Sequence, residues 1–163
     1  MESLLEASGI EPERLRLRWV SAAEGQLFAE YLKDYTEVLK SLGPFDPEKF
    51  ETALEAMKTS LASPRLRWLT GMEIQITERG NVYGEKADET AYRNMLRKAT
   101  EEEFHKGLIL EVLKQGPSSP REIALATGLP LYTVSLRLSD LERTHCAGLL
   151  DYEGTTPRFA VSA

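Results

Sequence analysis

The stretch Gly116–Phe159, GPSSPREIALATGLPLYTVSLRLSDLERTHCAGLLDYEGTTPRF, decides the reading of the C-terminal half. Ser119 can cap a short helix with Pro120 in its first turn, and Ile123, Ala124 and Ala126 supply apolar contacts. Thr127-Gly128-Leu129-Pro130 ends that helix, because glycine takes the left-handed conformation easily and proline opens a new helix well. A second helix follows from about Leu131 to Arg143, with Val134, Leu138 and Leu141 at i, i+4 and i+7 on one buried stripe. A short apolar run from Ala147 to Leu150, the turn signal Glu153-Gly154, and Phe159-Ala160-Val161 complete a hairpin.

With Phe104–Gln115 as a first helix, this order of elements resembles a winged-helix domain over 104–163. In that fold the second helix of the turn usually enters the major groove, where Arg, Lys, Asn or Gln read base edges. Projected at 100° per residue from the buried stripe, the exposed face here carries Tyr132, Thr133, Leu136, Ser139, Asp140 and Arg143. Across 104–163 six basic residues are offset by six acidic ones. Phosphate neutralisation supplies most DNA affinity, so a neutral module with one arginine on its reading face favours protein docking, with Tyr132 and Leu136 as candidate contacts. The alternative from another class is a winged-helix DNA-binding transcriptional regulator.

Working outward, the 163 residues suit one domain or two small ones, and 42% apolar residues suffice for real cores. A net charge of −6 argues against a nonspecific binder of nucleic acid or membrane surface. No apolar run approaches the roughly 20 residues of a membrane span, and Met1-Glu2-Ser3 does not open a secretory signal. The single cysteine cannot form an internal disulfide, so a cytoplasmic setting is expected.

At the other end, Leu4–Ser8 is a short helical pattern closed by Gly9. Arg14–Val20 alternates charged and apolar residues with period two, the pattern of a strand with one wet face. Its three arginines are expected on that wet face, and Leu15, Leu17 and Trp19 on the covered one. Ser21-Ala22-Ala23-Glu24 reads as a capping box. The helix it opens carries Leu27, Phe28, Tyr31, Leu32, Tyr35, Val38, Leu39 and Leu42 before Gly43-Pro44 stops it. That stripe is core or interface.

These N-terminal residues carry a family resemblance. Gly9-Ile10-Glu11-Pro12-Glu13-Arg14, then Trp19-Val20-Ser21-Ala22-Ala23-Glu24-Gly25 with Phe28-Ala29, and finally Leu42-Gly43-Pro44 resemble the C-terminal end of the methyl-viologen-reducing hydrogenase delta subunit family. The resemblance spans Leu4–Phe45, about a quarter of the chain. It implies a small protein passing electrons between a hydrogenase or other dehydrogenase and a heterodisulfide-reductase-like flavoprotein. The iron–sulfur cysteines it implies lie upstream of the matching segment, and this chain starts after them, so no cluster ligand carries over.

Between the two ends, Asp46-Pro47 is expected to start a helix with Phe50, Leu54, Met57 and Leu61 inside, and Ser63-Pro64 another with Leu66, Leu69, Met72 and Ile76. Asp88 caps a third that can run through Glu101-Glu102-Glu103, where the glutamates read as a solvated face. Residues 46–103 hold twelve acidic and nine basic residues and read as a helical connector.

The expected organisation is therefore mainly α (α+β): a strand and helix over 1–45, a connector over 46–103 and a winged helix over 104–163. For chemistry the chain offers His105, His145 and Cys146 alone. An iron–sulfur cluster or structural zinc usually needs four ligands, so no cofactor is expected in this chain. Cys146 is expected as a small core residue at the start of a strand, and neither a phosphate loop nor a distinctive carboxylate pair is present. The expected function is an accessory docking subunit of a cytoplasmic electron-transfer complex of the hydrogenase–heterodisulfide reductase type. Its partners would be such subunits or its own copy, with DNA and membrane not expected, and Leu15, Leu17 and Trp19 are the N-terminal candidate contacts.

Overall fold

The structure, a computed structural model, describes residues 1–162, and the chain divides into two compact units, 1–51 and 52–163. The class is mainly α, with one two-stranded antiparallel sheet near the C-terminus among the described residues.

In the first unit, α1 (Glu2–Ser8) ends where Gly9 adopts φ 73°, and the Ile10 amide reaches back to the Leu5 carbonyl at 3.1 Å. This left-handed cap closes the helix and buries Leu4, Leu5 and Ile10 together. A single 3₁₀ turn, Pro12–Arg14, follows. The strand expected over Arg14–Val20 does not form. Leu15 is extended at φ −130°, ψ 120°, but residues 16–20 make no backbone–backbone hydrogen bond among the described residues. A strand exists by its ladder, and no second strand lies beside this one.

The expected capping box is half made. The Glu24 carboxylate accepts from the Ser21 amide at 2.8 Å, while Ser21 Oγ reaches only the Ala23 amide at 3.4 Å. Glu24 is itself the N-cap, so α2 runs Gly25–Leu42 and starts one residue past the motif. No residue of α2 is buried, although its apolar stripe is sustained.

The second unit holds α3 (Glu51–Ala62), α4 (Pro64–Ile74), α5 (Glu89–Gln115), α6 (Pro120–Thr127), α7 (Leu131–Arg143), β1 (Ala147–Glu153) and β2 (Thr156–Val161). Asp46 does not start α3. Its carboxylate accepts from the Glu48 and Lys49 amides, capping a turn, and the helix opens at Glu51. The buried face of α3 is also rotated from the expected stripe: Ala56, Met57 and Ser60 are buried, whereas Leu61 is exposed. The cause lies on α5. A Cβ at Gly107 would stand 2.6 Å from the Ala56 carbonyl oxygen, so α5 meets the α3 backbone where neither helix carries bulk.

Helix α4 continues through a π turn, Gln75–Arg79, into the loop before α5. Asp88 caps α5 by accepting from the Ala91 amide at 2.8 Å. Tyr92 donates its hydroxyl to the Leu69 carbonyl, fixing α5 against α4 above Leu66, Leu69 and Ala99.

Residues 104–162 follow the elements read from the sequence. Ser119 and Glu122 form a full capping box, and Gly128 ends α6 at φ 71°. Ile123, Val134, Leu138 and Leu141 pack with Ile109 and Leu113 of α5 and with Ala147 as one core. In the hairpin Ala147 faces Val161 and Leu149 faces Phe159, with an irregularity before Asp151. An isolated bridge, Ser118 with Phe159, ties the α5–α6 turn to β2 through two bonds of 2.9 Å.

Candidate docking surfaces

The first surface follows from how the arginines of 14–18 are used. Each lies over an aromatic ring, although Arg16 and Arg18 stay exposed. Arg14 stacks over Phe45 at 5.5 Å, Arg16 over Tyr35 at 5.6 Å and Arg18 over Tyr31 at 5.7 Å. Two residues of extended chain advance about 6.6 Å and four of helix about 6 Å, so alternate arginines match tyrosines at i and i+4 on α2. Arg14 also donates to the carbonyls of Leu42 and Gly43 at 3.1 and 3.0 Å and pairs with Glu11 at 2.8 Å. It thereby satisfies orphan carbonyls at the C-terminus of α2 with a cation, where the helix dipole favours one. The same Arg14 hydrogen bond, donated to the Glu11 carboxylate, is the main cause of that group's lowered pKa. Tyr35 closes the arrangement by donating to the Arg14 carbonyl.

The apolar side, expected to be covered, is open instead. With the arginine side turned to α2, Leu15 is 52%, Leu17 78% and Trp19 87% exposed, and they form one outward apolar row. Phe28 and Leu32 on α2 are exposed as well. A groove of about 830 Å³ runs beside the row, with Met1, Leu5 of α1, Leu15 and Leu17 in its walls.

The second surface lies in the second unit. Tyr132 and Leu136 are both exposed on α7, as expected, with Leu125 of α6 and Leu150 and Tyr152 of β1 also exposed. Nothing further singles out a contact set there.

A cavity of about 780 Å³ lies among α3, α4, α5 and α7. Charged side chains alternate along it. Lys106 pairs with Glu103 at 2.5 Å, Arg65 with Glu103 at 3.5 Å and Glu102 at 2.7 Å, and Arg137 with Glu102 at 3.4 Å. Asp140 then joins Arg137 at 3.4 Å and Arg143 at 2.7 Å. The glutamates of 101–103 are thus not simply a solvated face: Glu103 is buried, and Glu102 bridges two guanidiniums. Burial pushes the Glu102 carboxyl up, but the Arg65 hydrogen bond and the charges of Arg137, Arg65 and Lys98 outweigh it and hold it below its ordinary range. Arg137 Nε is buried without a hydrogen bond, so the chain of pairs is imperfect at α7.

The sequence carried one signal of this chain, three adjacent glutamates in a helix with Lys106 three residues after Glu103. The distant partners Arg65 and Arg137 had none. Cys146 departs from its expected place: it is exposed beside the cavity, and the neighbouring Ala147 takes the buried position.

Among the described residues no group of three or more His, Cys, Asp and Glu side chains could hold a metal, and no helix is long and apolar enough to cross a membrane. Residues 1–43 match the family model of the methyl-viologen-reducing hydrogenase delta subunit. The N-terminal region is thus similar to that family over about a quarter of the chain. A 51-residue match to the iron–sulfur subunit of an F420-non-reducing hydrogenase from Archaeoglobus profundus is 47% identical. It covers 31% of this chain and 35% of that protein. A ferredoxin:CoB-CoM heterodisulfide reductase subunit from Methanosarcina mazei is 33% identical over 48 residues, 29% of this chain and 6% of that protein. A ferredoxin/F420H2-dependent CoB-CoM heterodisulfide reductase subunit from Methanosarcina acetivorans matches to the same extent. The chain thus spans about a third of the first relative's length and far less of the others'. No solved structure matches this chain.

The name of the Archaeoglobus relative includes an iron–sulfur centre, and the residues here do not fit one. Cys146 is the sole cysteine, and it lies outside the matched segment. Such clusters are held by about four thiolates.

Proposed function

We propose that this chain is an accessory docking subunit of a cytoplasmic electron-transfer complex of the hydrogenase–heterodisulfide reductase type, without a redox cofactor of its own. The observation that carries the reading is the delta-subunit match over 1–43, made by a segment whose apolar row stands uncovered. Its partners on this reading are hydrogenase or heterodisulfide reductase subunits, met through Leu15, Leu17 and Trp19. The C-terminal domain, 104–163, acts as a winged helix used for protein docking through Tyr132 and Leu136.

DNA reading is the weaker use of that module. Of the two arginines on α7, Arg143 pairs with Asp140, and Arg137 is tied to Glu102 and Asp140. Arg137 is held by two carboxylates, and the exposed Arg143, shared with Asp140, is the one guanidinium on α7 left to meet a base edge. Purification of the tagged chain from its native host, with mass-spectrometric identification of what accompanies it, tests the proposal. Hydrogenase or heterodisulfide reductase subunits in about one-to-one amount are expected. Recovery of the chain without any of them, under conditions where those complexes stay intact, would overturn it.

A further inference from the structure

We propose that residues 15–20 add as an edge strand to a strand of a different polypeptide, one that alternates apolar with acidic residues. The inference rests on the docking reading above and names the chemistry of the partner. Three observations support it. Leu15 is already extended, and residues 16–20 carry free backbone donors and acceptors, so pairing would satisfy a row of groups that now only water can serve. The outward row Leu15, Leu17 and Trp19 offers three apolar side chains at period two, which a partner strand would match on one face. The groove between α1 and this segment, with Met1 and Leu5 in its far wall, leaves room for a chain alongside.

Charge chooses the occupant. A second copy, paired antiparallel about Leu17, would set Leu15 against Trp19 favourably. It would also set Arg16 directly against Arg18 twice, and like charges facing across a ladder are destabilising. The contacts with Tyr35 and Tyr31 set both guanidiniums on one side of the segment, where they stay exposed to a paired strand. Glu2 and Glu13, which also line the groove, lie outside the 15–20 row and leave Arg16 and Arg18 as the charges a paired strand meets. An acidic residue opposite each arginine turns two repulsions into two attractions.

The test uses the full chain at about 0.15 M salt, where exposed charges beyond roughly 8 Å are screened. The probes are two peptides of about ten residues, one alternating Val with Glu and one alternating Val with Lys. Amide exchange and chemical shifts across 15–20 report binding. The Val–Glu peptide is expected to protect these amides, and the Val–Lys peptide to bind about tenfold more weakly or worse. Arg16→Glu with Arg18→Glu should reverse the preference. Leu17→Lys, whose side chain points away from α2, should weaken the Val–Glu peptide about tenfold while α2 keeps its helicity.

Equal binding of the two peptides, no change at 15–20 with either, or self-association through this segment in sedimentation would overturn the inference. Its failure is separable from that of the proposed function. If hydrogenase or reductase subunits still accompany Leu17→Lys in full amount, the strand falls and the function stands. If the peptide binds as expected and no such protein is ever recovered, the function falls instead.

Discussion

Replacing Gly107 by alanine tests a close approach of α5 to the α3 backbone. The substitution adds one methyl group at a point where its ideal position is 2.6 Å from the Ala56 carbonyl oxygen and 3.0 Å from the Ala56 Cα. Ordinary contact begins near 3.4 Å, so α3 must withdraw by about 0.8 Å. The obstructing atoms are backbone, and no rotamer change relieves them. The whole seat of Ala56, Met57 and Ser60 has to move. Overpacking of this kind costs about 1–3 kcal/mol, against a gain of about 1 kcal/mol from the better helix propensity of alanine. A net loss of up to about 2 kcal/mol is expected.

Urea titration followed by far-ultraviolet circular dichroism measures it, with a fall in Tm of about 3–6 °C per kcal/mol for a unit of this size. Gly71→Ala on α4 is the internal control, because nothing lies within 4 Å of its Cβ position. It should stabilise by up to about 1 kcal/mol through propensity alone. If Gly107→Ala stabilises to the same degree, α3 and α5 do not approach closely there and the reasoning is wrong.

Three further outcomes are expected. Ser119→Ala removes the hydroxyl of the α6 capping box and should cost about 1 kcal/mol in the same titration, with amides of α6 exchanging faster. Glu102, whose folded pKa is depressed, contributes stability that is present above its unfolded pKa and lost as pH falls through the folded one. Glu102→Gln should therefore destabilise at pH 7 and flatten the acid limb of the stability curve measured from pH 7 to 3. Elemental analysis of the purified chain should find no stoichiometric iron or zinc, and one metal per chain would refute the proposal that it carries no centre of its own.

The C-terminal elements were legible because their signals are local. Ser119 and Glu122 are three residues apart, Gly128 stops α6 by its own backbone, and Val134, Leu138 and Leu141 share a face through helical period alone. The expectation that this chain holds no family-type cluster rested on its single cysteine, a matter of composition alone. The delta-subunit resemblance, too, rested on residues consecutive in the chain.

What the tertiary structure decided was which face of each pattern is covered. Period-two alternation in Arg14–Val20 states that the two faces differ, and polarity suggested that the arginines were wet. Arg16 and Arg18 are exposed as that reading has it, yet they also lie over the tyrosines of α2, and it is the apolar side that finds no cover. The glutamates of 101–103 became a bridge for the same kind of reason. Arg65 and Arg137 reach Glu102 from 37 residues before it in the chain and 35 after it. Composition records that such charges exist, and only the packing of α4 and α7 against α5 brings them within bonding distance. Ala56 and Gly107 likewise carry no pattern of their own: their smallness acquires a meaning only where two helices cross at that point, since contact energies fall off within an ångström and depend on neighbours that the order of the chain does not name.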